Sequence, residues 1–157
     1  MRPRESSWDA SWERIFQERE WGRYPSEELV RFVARNFYKV PNRNQVRILE
    51  LGCGPGANLW YLAREGFDVY GIDGSATAIK KAEALLEKEG LNARLELGDV
   101  ITIDNIYPPN TFDLIVDLAC LQCNRFKAIE DIVQRCEVIL KPGGKVFSLM
   151  HSVESFG

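Results

Sequence analysis

The sequence predicts an α/β fold, a doubly wound parallel sheet of about five strands with helices on both faces. Three observations carry the prediction. From Val46 onward, short apolar runs alternate with stretches of helical period, the signature of parallel strand–helix units. The first run, "ILELGCGPGAN" at 48–58, reaches a carboxylate and then breaks into three glycines, a loop that lets backbone approach a ligand closely. The predicted strand ends carry Glu50, Asp73, Asp99, Asp117 and His151, at the rim where such sheets bind ligands.

Each element follows from local pattern. Met1 to Ser7 are expected to fray. "WDASWERIFQEREW" spaces Trp8, Trp12, Ile15 and Phe16 as a short helix, which the break at Gly22–Pro25 ends. "SEELVRFVARNFYKV" then offers Ser26 as cap, Glu27 and Glu28 in the first turn, and Leu29, Val33 and Phe37 on one face. Strands are expected at Val46–Leu51, Phe67–Asp73, Ala93–Leu97, Phe112–Leu118 and Lys145–Met150. Between them lie a short helix carrying Leu59, Leu62 and Ala63 and stopped by Gly66, a second over Ser75–Glu89, and a third carrying Ile129, Ile132, Val133, Cys136 and Ile139. "LKPGG" reads as a turn feeding the fifth strand, with Pro142 and Gly143 suited to type II geometry. Asp113 begins its strand rather than ending it, which gives it a structural role.

Composition bounds the function. With 157 residues, 45% hydrophobic and 27% charged, the chain supports one domain with its own core. The net charge of -3 and the dispersed lysines and arginines leave no footprint for a nucleic-acid backbone. No apolar run has the length of a membrane span, and no apolar segment follows the early arginines as a secretory signal requires. Four cysteines without such a signal point to reduced thiols in the cytoplasm.

"GCGPGA" fits the dinucleotide pattern G-x-G-x-x-G/A, but Pro55 removes an N–H and Glu50 adds a carboxylate where a pyrophosphate wants donors. The loop therefore suits a cationic ligand. A P-loop is excluded because no G-K-[ST] follows. "ELGCGPG" resembles in full the first motif of the class I S-adenosylmethionine-dependent methyltransferases, an acidic residue followed by G-x-G-x-G. The resemblance continues through "VYGIDGS", "LGDV", "FDLIVDL" and "LKPGGKV", over roughly residues 45 to 150.

That resemblance implies a Rossmann-like sheet in the order 3-2-1-4-5, with residues 1–44 as a helical leader or lid and 45–157 as the core that binds S-adenosylmethionine. It implies that Glu50, Gly52, Cys53, Gly54 and Gly56 surround the methionine part of the cofactor, and that Asp73 accepts from both ribose hydroxyls with Gly74 and Ser75 alongside. Asp99 would accept from the adenine amino group, Val100 would face the ring, and Asp117, Leu118 and Ala119 would line the sulfonium side. Trp8, Trp12, Phe16, Trp21 and Tyr24 of the leader are expected either to pack the first helices on the sheet or to form a lid, since in many relatives the segment before the first strand folds over the cofactor. Here "WGRYPSEEL" would then bring Arg23 and Tyr24 near its carboxylate. The family sheet ends in an antiparallel hairpin beside the fifth strand, which this chain is expected to lack. Lys145–Met150 would then be an exposed edge, so the expectation is either that the chain is a fragment of a longer protein or that another chain covers the edge, most simply a two-fold copy.

Other signals have plainer readings. Cys120-x-x-Cys123 has metal spacing but too few further ligands, so packing is expected. "YPPN" resembles the paired-proline motif of amino-methylating nucleic-acid enzymes, yet it precedes the fourth strand, and the equivalent place reads "DLACLQC". His151, after the fifth strand, is the candidate general base. The expected function is methyl transfer to a small, non-polymeric O- or N-acceptor, with no nucleic acid, membrane or metal involved. The alternatives are a non-catalytic cofactor-binding or partner subunit and a nicotinamide-binding oxidoreductase.

Overall fold

A computed structural model describes residues 6–152. The leader forms α1 (Ser11–Glu18) and α2 (Glu27–Phe37). The core follows as β1 (Arg47–Leu51), α3 (Ala57–Arg64), β2 (Asp68–Asp73), α4 (Ala76–Lys88), β3 (Arg94–Leu97), α5 (Ile103–Ile106), β4 (Phe112–Leu118), α6 (Phe126–Ile139) and β5 (Leu140–Leu149). The five strands form one parallel sheet in the order β3-β2-β1-β4-β5. This is the Rossmann-like fold and strand order expected above. The strand order reverses between β1 and β4, so the chain ends of those two strands bound a crevice.

Side-chain alternation explains how helices cover both faces. Along β1 and β4, Ile48, Leu114 and Val116 join Leu29, Val33, Leu59 and Leu62 in one cluster. Their neighbours Leu49, Leu51, Phe112 and Ile115 join Ile103, Ile132, Cys136 and Ile139 in the other. Central strands buried on both faces need continuous apolar runs, which "ILEL" and "FDLIVDL" supply. Each apolar face of the sheet thus fixes one layer of helices.

Capping works as the sequence suggests at two helices. The Ser75 hydroxyl accepts from the Ala78 N–H at 3.0 Å, and that of Ser26 accepts from the Leu29 N–H at 3.5 Å. Ser26→Ala should cost about 0.5–1 kcal/mol, the lower part of the range for a lost cap, because this bond is long. Thermal unfolding of the variant measures it.

Two expectations change. "LKPGG" is no separate feeder turn: β5 runs from Leu140, with Phe112 paired to Leu140 and Leu114 to Lys145. Residues 141–144 bulge opposite Asp113, whose carboxylate accepts from the Lys141 ammonium and the Arg47 N–H, both at 2.8 Å. Gly143 sits at φ +77, the left-handed value that the bulge requires. The N-terminus is also less free than expected. Met1–Glu5 and residues 153–157 lie outside the described part, but Ser6 and Ser7 are fastened to Asp99. Among the described residues no strand covers the outer edge of β5, and no helix is long and apolar enough to cross a membrane.

Candidate active site

Beyond the carboxyl ends of β1, β2 and β4 lies a cavity, walled on its outer side by the leader. The loop after β1 forms its floor. Gly52 has φ +61, and a Cβ there would come within 2.7 Å of the Cys120 sulfur; Gly56 has φ +91, and its Cβ would meet that of Ala82 at 2.9 Å. Both positions therefore require glycine. The Cys53 N–H donates to the Ile72 carbonyl at 3.0 Å, tying this loop to β2.

Glu50, one residue before the end of β1, is only 2% exposed. Its Oε1 accepts from Asn58 Nδ2 at 2.7 Å, while Oε2 is buried with no partner among the described residues. Burial pushes this carboxyl up to about 8; the Asn58 bond opposes the shift, and the nearby Asp73 and Asp117 add to it. Asp73 is held from two sides, accepting from the Gly54 N–H and the Ser75 N–H at 2.8 Å each. Burial raises its carboxyl, against the pull of those two donors. Asp99 behaves in the opposite sense. Burial would raise it, but the hydroxyls of Ser7 and Ser6 and the N–H groups of Ile101 and Trp8 outweigh that and hold it below the ordinary carboxylate range.

The structure brings together Glu50, Gly52, Cys53, Gly54, Gly56, Asp73, Gly74, Asp99, Val100, Leu118 and Ala119 on this one cavity. It does not bring the others. Ser75 is fully buried beneath, capping α4 and donating to Glu13. Asp117 is spent on the turn after β4: Oδ1 accepts from the Cys120 and Leu121 N–H groups at 3.0 Å, and Oδ2 from the Ser148 hydroxyl at 2.6 Å. That anchor supports Ala119 at φ +61, an unusual value for a residue with a Cβ. Arg23 and Tyr24 stay outside, with Tyr24 85% exposed. The reason is local: the Ser26 N–H is tied to Asn58 Oδ1 at 3.1 Å, while Trp12, Phe16 and Trp21, packed at centroid distances of 5.2–6.3 Å, fill the approach. His151 lies exposed beyond β5, off the cavity, its N–H donating to Gln122 Oε1 at 2.7 Å.

Several wall residues escaped the sequence reading. Asn58 is the second residue of α3, where only the need of a buried amide for a partner could have flagged it. Asp9, Cys120, Cys123 and Asn124 also line the cavity, so the Cys-x-x-Cys segment is a wall as well as packing. All four cysteines of the chain are free. Burial first, and neighbouring carboxylates second, push the Cys53 and Cys120 thiols well up and the Cys123 thiol up. They are neutral at physiological pH and offer no thiolate nucleophile. Among the described residues, four carboxylates and no lysine, arginine or histidine line the cavity.

Comparison with known proteins agrees with this geometry. Residues 48–144 match the family model described as a methyltransferase domain. The chain is similar to norajmaline N-methyltransferase of Rauvolfia serpentina, at 26% identity over 80% of this chain and 42% of that protein. It is similar to a ubiquinone biosynthesis O-methyltransferase of Chelativorans sp. (strain BNC1), at 32% over 73% of this chain and 46% of that protein. The chain thus spans somewhat under half the length of these curated relatives. A solved structure of a putative S-adenosyl-L-methionine-dependent methyltransferase from Methanococcus maripaludis shares the fold, with a TM-score of 0.64, 23% identity, and 75% and 52% of the two chains covered.

Proposed function

The chain belongs to the class I S-adenosylmethionine-dependent methyltransferase family, and on that premise we propose that it transfers a methyl group from this cofactor to a small, non-polymeric O- or N-acceptor. One observation carries the reading: a cavity at the strand ends with four carboxylates, a glycine floor and no basic residue among the described lining. S-adenosylmethionine bears an ammonium and a sulfonium and no phosphate, which such a wall favours. The residues fit it. Glu50, with its unpartnered buried oxygen, suits the ammonium; Asp73, with lone pairs left after its two backbone donors, suits the ribose diol; Val100 and Asp99 line the cavity where the base would lie. The four free thiols suit the reducing cytoplasm.

When bound, the cofactor supplies an electrophilic methyl group on a sulfonium. The chain's own residues supply orientation and exclusion of water, through the glycine loop below and Trp12, Phe16 and Trp21 above. Among the described residues no imidazole or thiolate stands at the wall, so an acceptor that is already nucleophilic fits best, and His151 is not given the role of base. The same carboxylates disfavour an anionic acceptor. The N- and O-methyltransferases among the relatives agree with an amine or hydroxyl. Calorimetry with S-adenosylhomocysteine and with NAD, followed by turnover with neutral phenols, amines and carboxylates, tests this. Binding of the homocysteine product and transfer to phenols or amines is expected. Binding of NAD alone, or fastest transfer to carboxylates, would sink the reading.

A second reading, a cofactor-binding partner subunit, is favoured by Val133, Val138 and Val146, each about half exposed on α6 and β5. A two-fold copy pairing along β5 would satisfy the edge and cover Val146. Light scattering that finds a dimer without turnover supports it; a monomer that turns over removes it.

A further inference from the structure

Asp99 is already saturated by its own chain. Its Oδ2 accepts from the Ser6 hydroxyl at 2.7 Å, the Ser7 N–H at 2.7 Å and the Trp8 N–H at 3.1 Å. Its Oδ1 accepts from the Ser7 hydroxyl and from the Ile101 N–H at 3.1 Å. An ionised carboxylate offers about four lone-pair sites, so five donors leave none for a ligand. Beside it, the Trp8 indole lies against Gly74 so closely that a Cβ on that glycine would fall 2.2 Å from the ring. A planar bicyclic ring in a glycine slot, with N–H donors on an adjacent carboxylate, is the chemistry by which an aminopurine would be held. Here the leader provides it.

The rest of the leader is pinned separately. Glu13 accepts from the hydroxyls of Ser75 and Thr77 at the start of α4, and Lys81 donates to the Phe16 carbonyl at 2.6 Å. Those two fastenings do not touch Asp99. Residues 6–8 can therefore let go while α1 stays in place.

We infer that Ser6–Trp8 is a built-in competitor of the cofactor's adenine, holding Asp99 and the Gly74 slot until the base displaces it, so that cofactor occupancy and release of Ser6–Trp8 are coupled. The inference rests on the proposed cofactor reading, and it makes apparent affinity depend on how often the segment is away. It differs from a simple lid, which would tighten over the bound molecule.

Amide exchange of Ser7 and Trp8 in the full chain, with and without S-adenosylhomocysteine, separates the two. Faster exchange of both amides on binding is expected, while amides of α1 stay protected. Ser6→Ala combined with Ser7→Ala should tighten S-adenosylhomocysteine binding by about three- to tenfold, because fewer bonds hold the closed state. Slower or unchanged exchange on binding, or weaker binding by the double variant, overturns the inference while leaving the cofactor reading intact. Failure of both proteins to bind S-adenosylhomocysteine at all overturns the two together.

Discussion

Replacement of Asp73 by alanine is expected to weaken S-adenosylhomocysteine binding by about 1.5–3 kcal/mol, the range for hydrogen bonds to a charged group, or roughly ten- to a hundredfold. The carboxylate is 4% exposed and lines the cavity at the end of β2. Each oxygen already takes one backbone N–H, from Gly54 and from Ser75. Each therefore keeps one lone pair, and two acceptor sites on one planar group match two adjacent hydroxyls. The same bonds clamp the glycine loop to the start of α4, so the variant also orphans two N–H groups and loses stability. Thermal unfolding run beside calorimetry separates the effects. Asp73→Asn, which keeps one acceptor oxygen and much of the shape, should fall between wild type and alanine in affinity. A folded Asp73→Ala protein with unchanged affinity would remove the ribose assignment.

The fold was legible because burial on both faces of a parallel sheet forces a pattern that survives in the sequence. "ILEL" and "FDLIVDL" cannot be anything but inner strands once helices flank them, and Gly52 and Gly56 are forced by contacts that tolerate no Cβ. The site was legible only where position along a strand decides direction. Glu50, Asp73 and Asp99 stand at strand ends and reach the cavity. Asp117 stands at a strand end too, but the tight turn after it needs a buried acceptor for the Cys120 and Leu121 N–H groups, and its other oxygen accepts from the Ser148 hydroxyl. Ser75 is lost to the cap of α4 in the same way. Arg23 and Tyr24 were misplaced because the leader's path depends on the tie between Ser26 and Asn58, 32 residues apart, which has no local signature.

The other large effect concerns protons. Glu50 is buried, with one oxygen on Asn58 and the other without a partner among the described residues, and burial pushes its carboxyl up to about 8. Without ligand the side chain is therefore neutral at pH 7 in the folded chain, whereas in the unfolded chain it ionises near 4.5. The folded state binds the extra proton, so its stability is greatest below the unfolded value and falls as pH rises toward 8, by up to about 1.4 kcal/mol per pH unit. A cationic ligand beside Glu50 reverses the preference, because the carboxylate gains a partner for its charge. Binding should then release close to one proton at pH 6 and little above pH 8, and affinity should rise up to tenfold per pH unit in between. Calorimetry of S-adenosylhomocysteine binding in two buffers of different ionisation enthalpy reads the proton directly. Glu50→Gln removes the titrating group while keeping its size and the contact with Asn58. That variant should show no buffer dependence, should bind more weakly at pH 8, and should lose less stability than wild type between pH 5 and 8. Equal proton release by wild type and Glu50→Gln would place the titrating group elsewhere, with Asp73 the next carboxyl raised by burial.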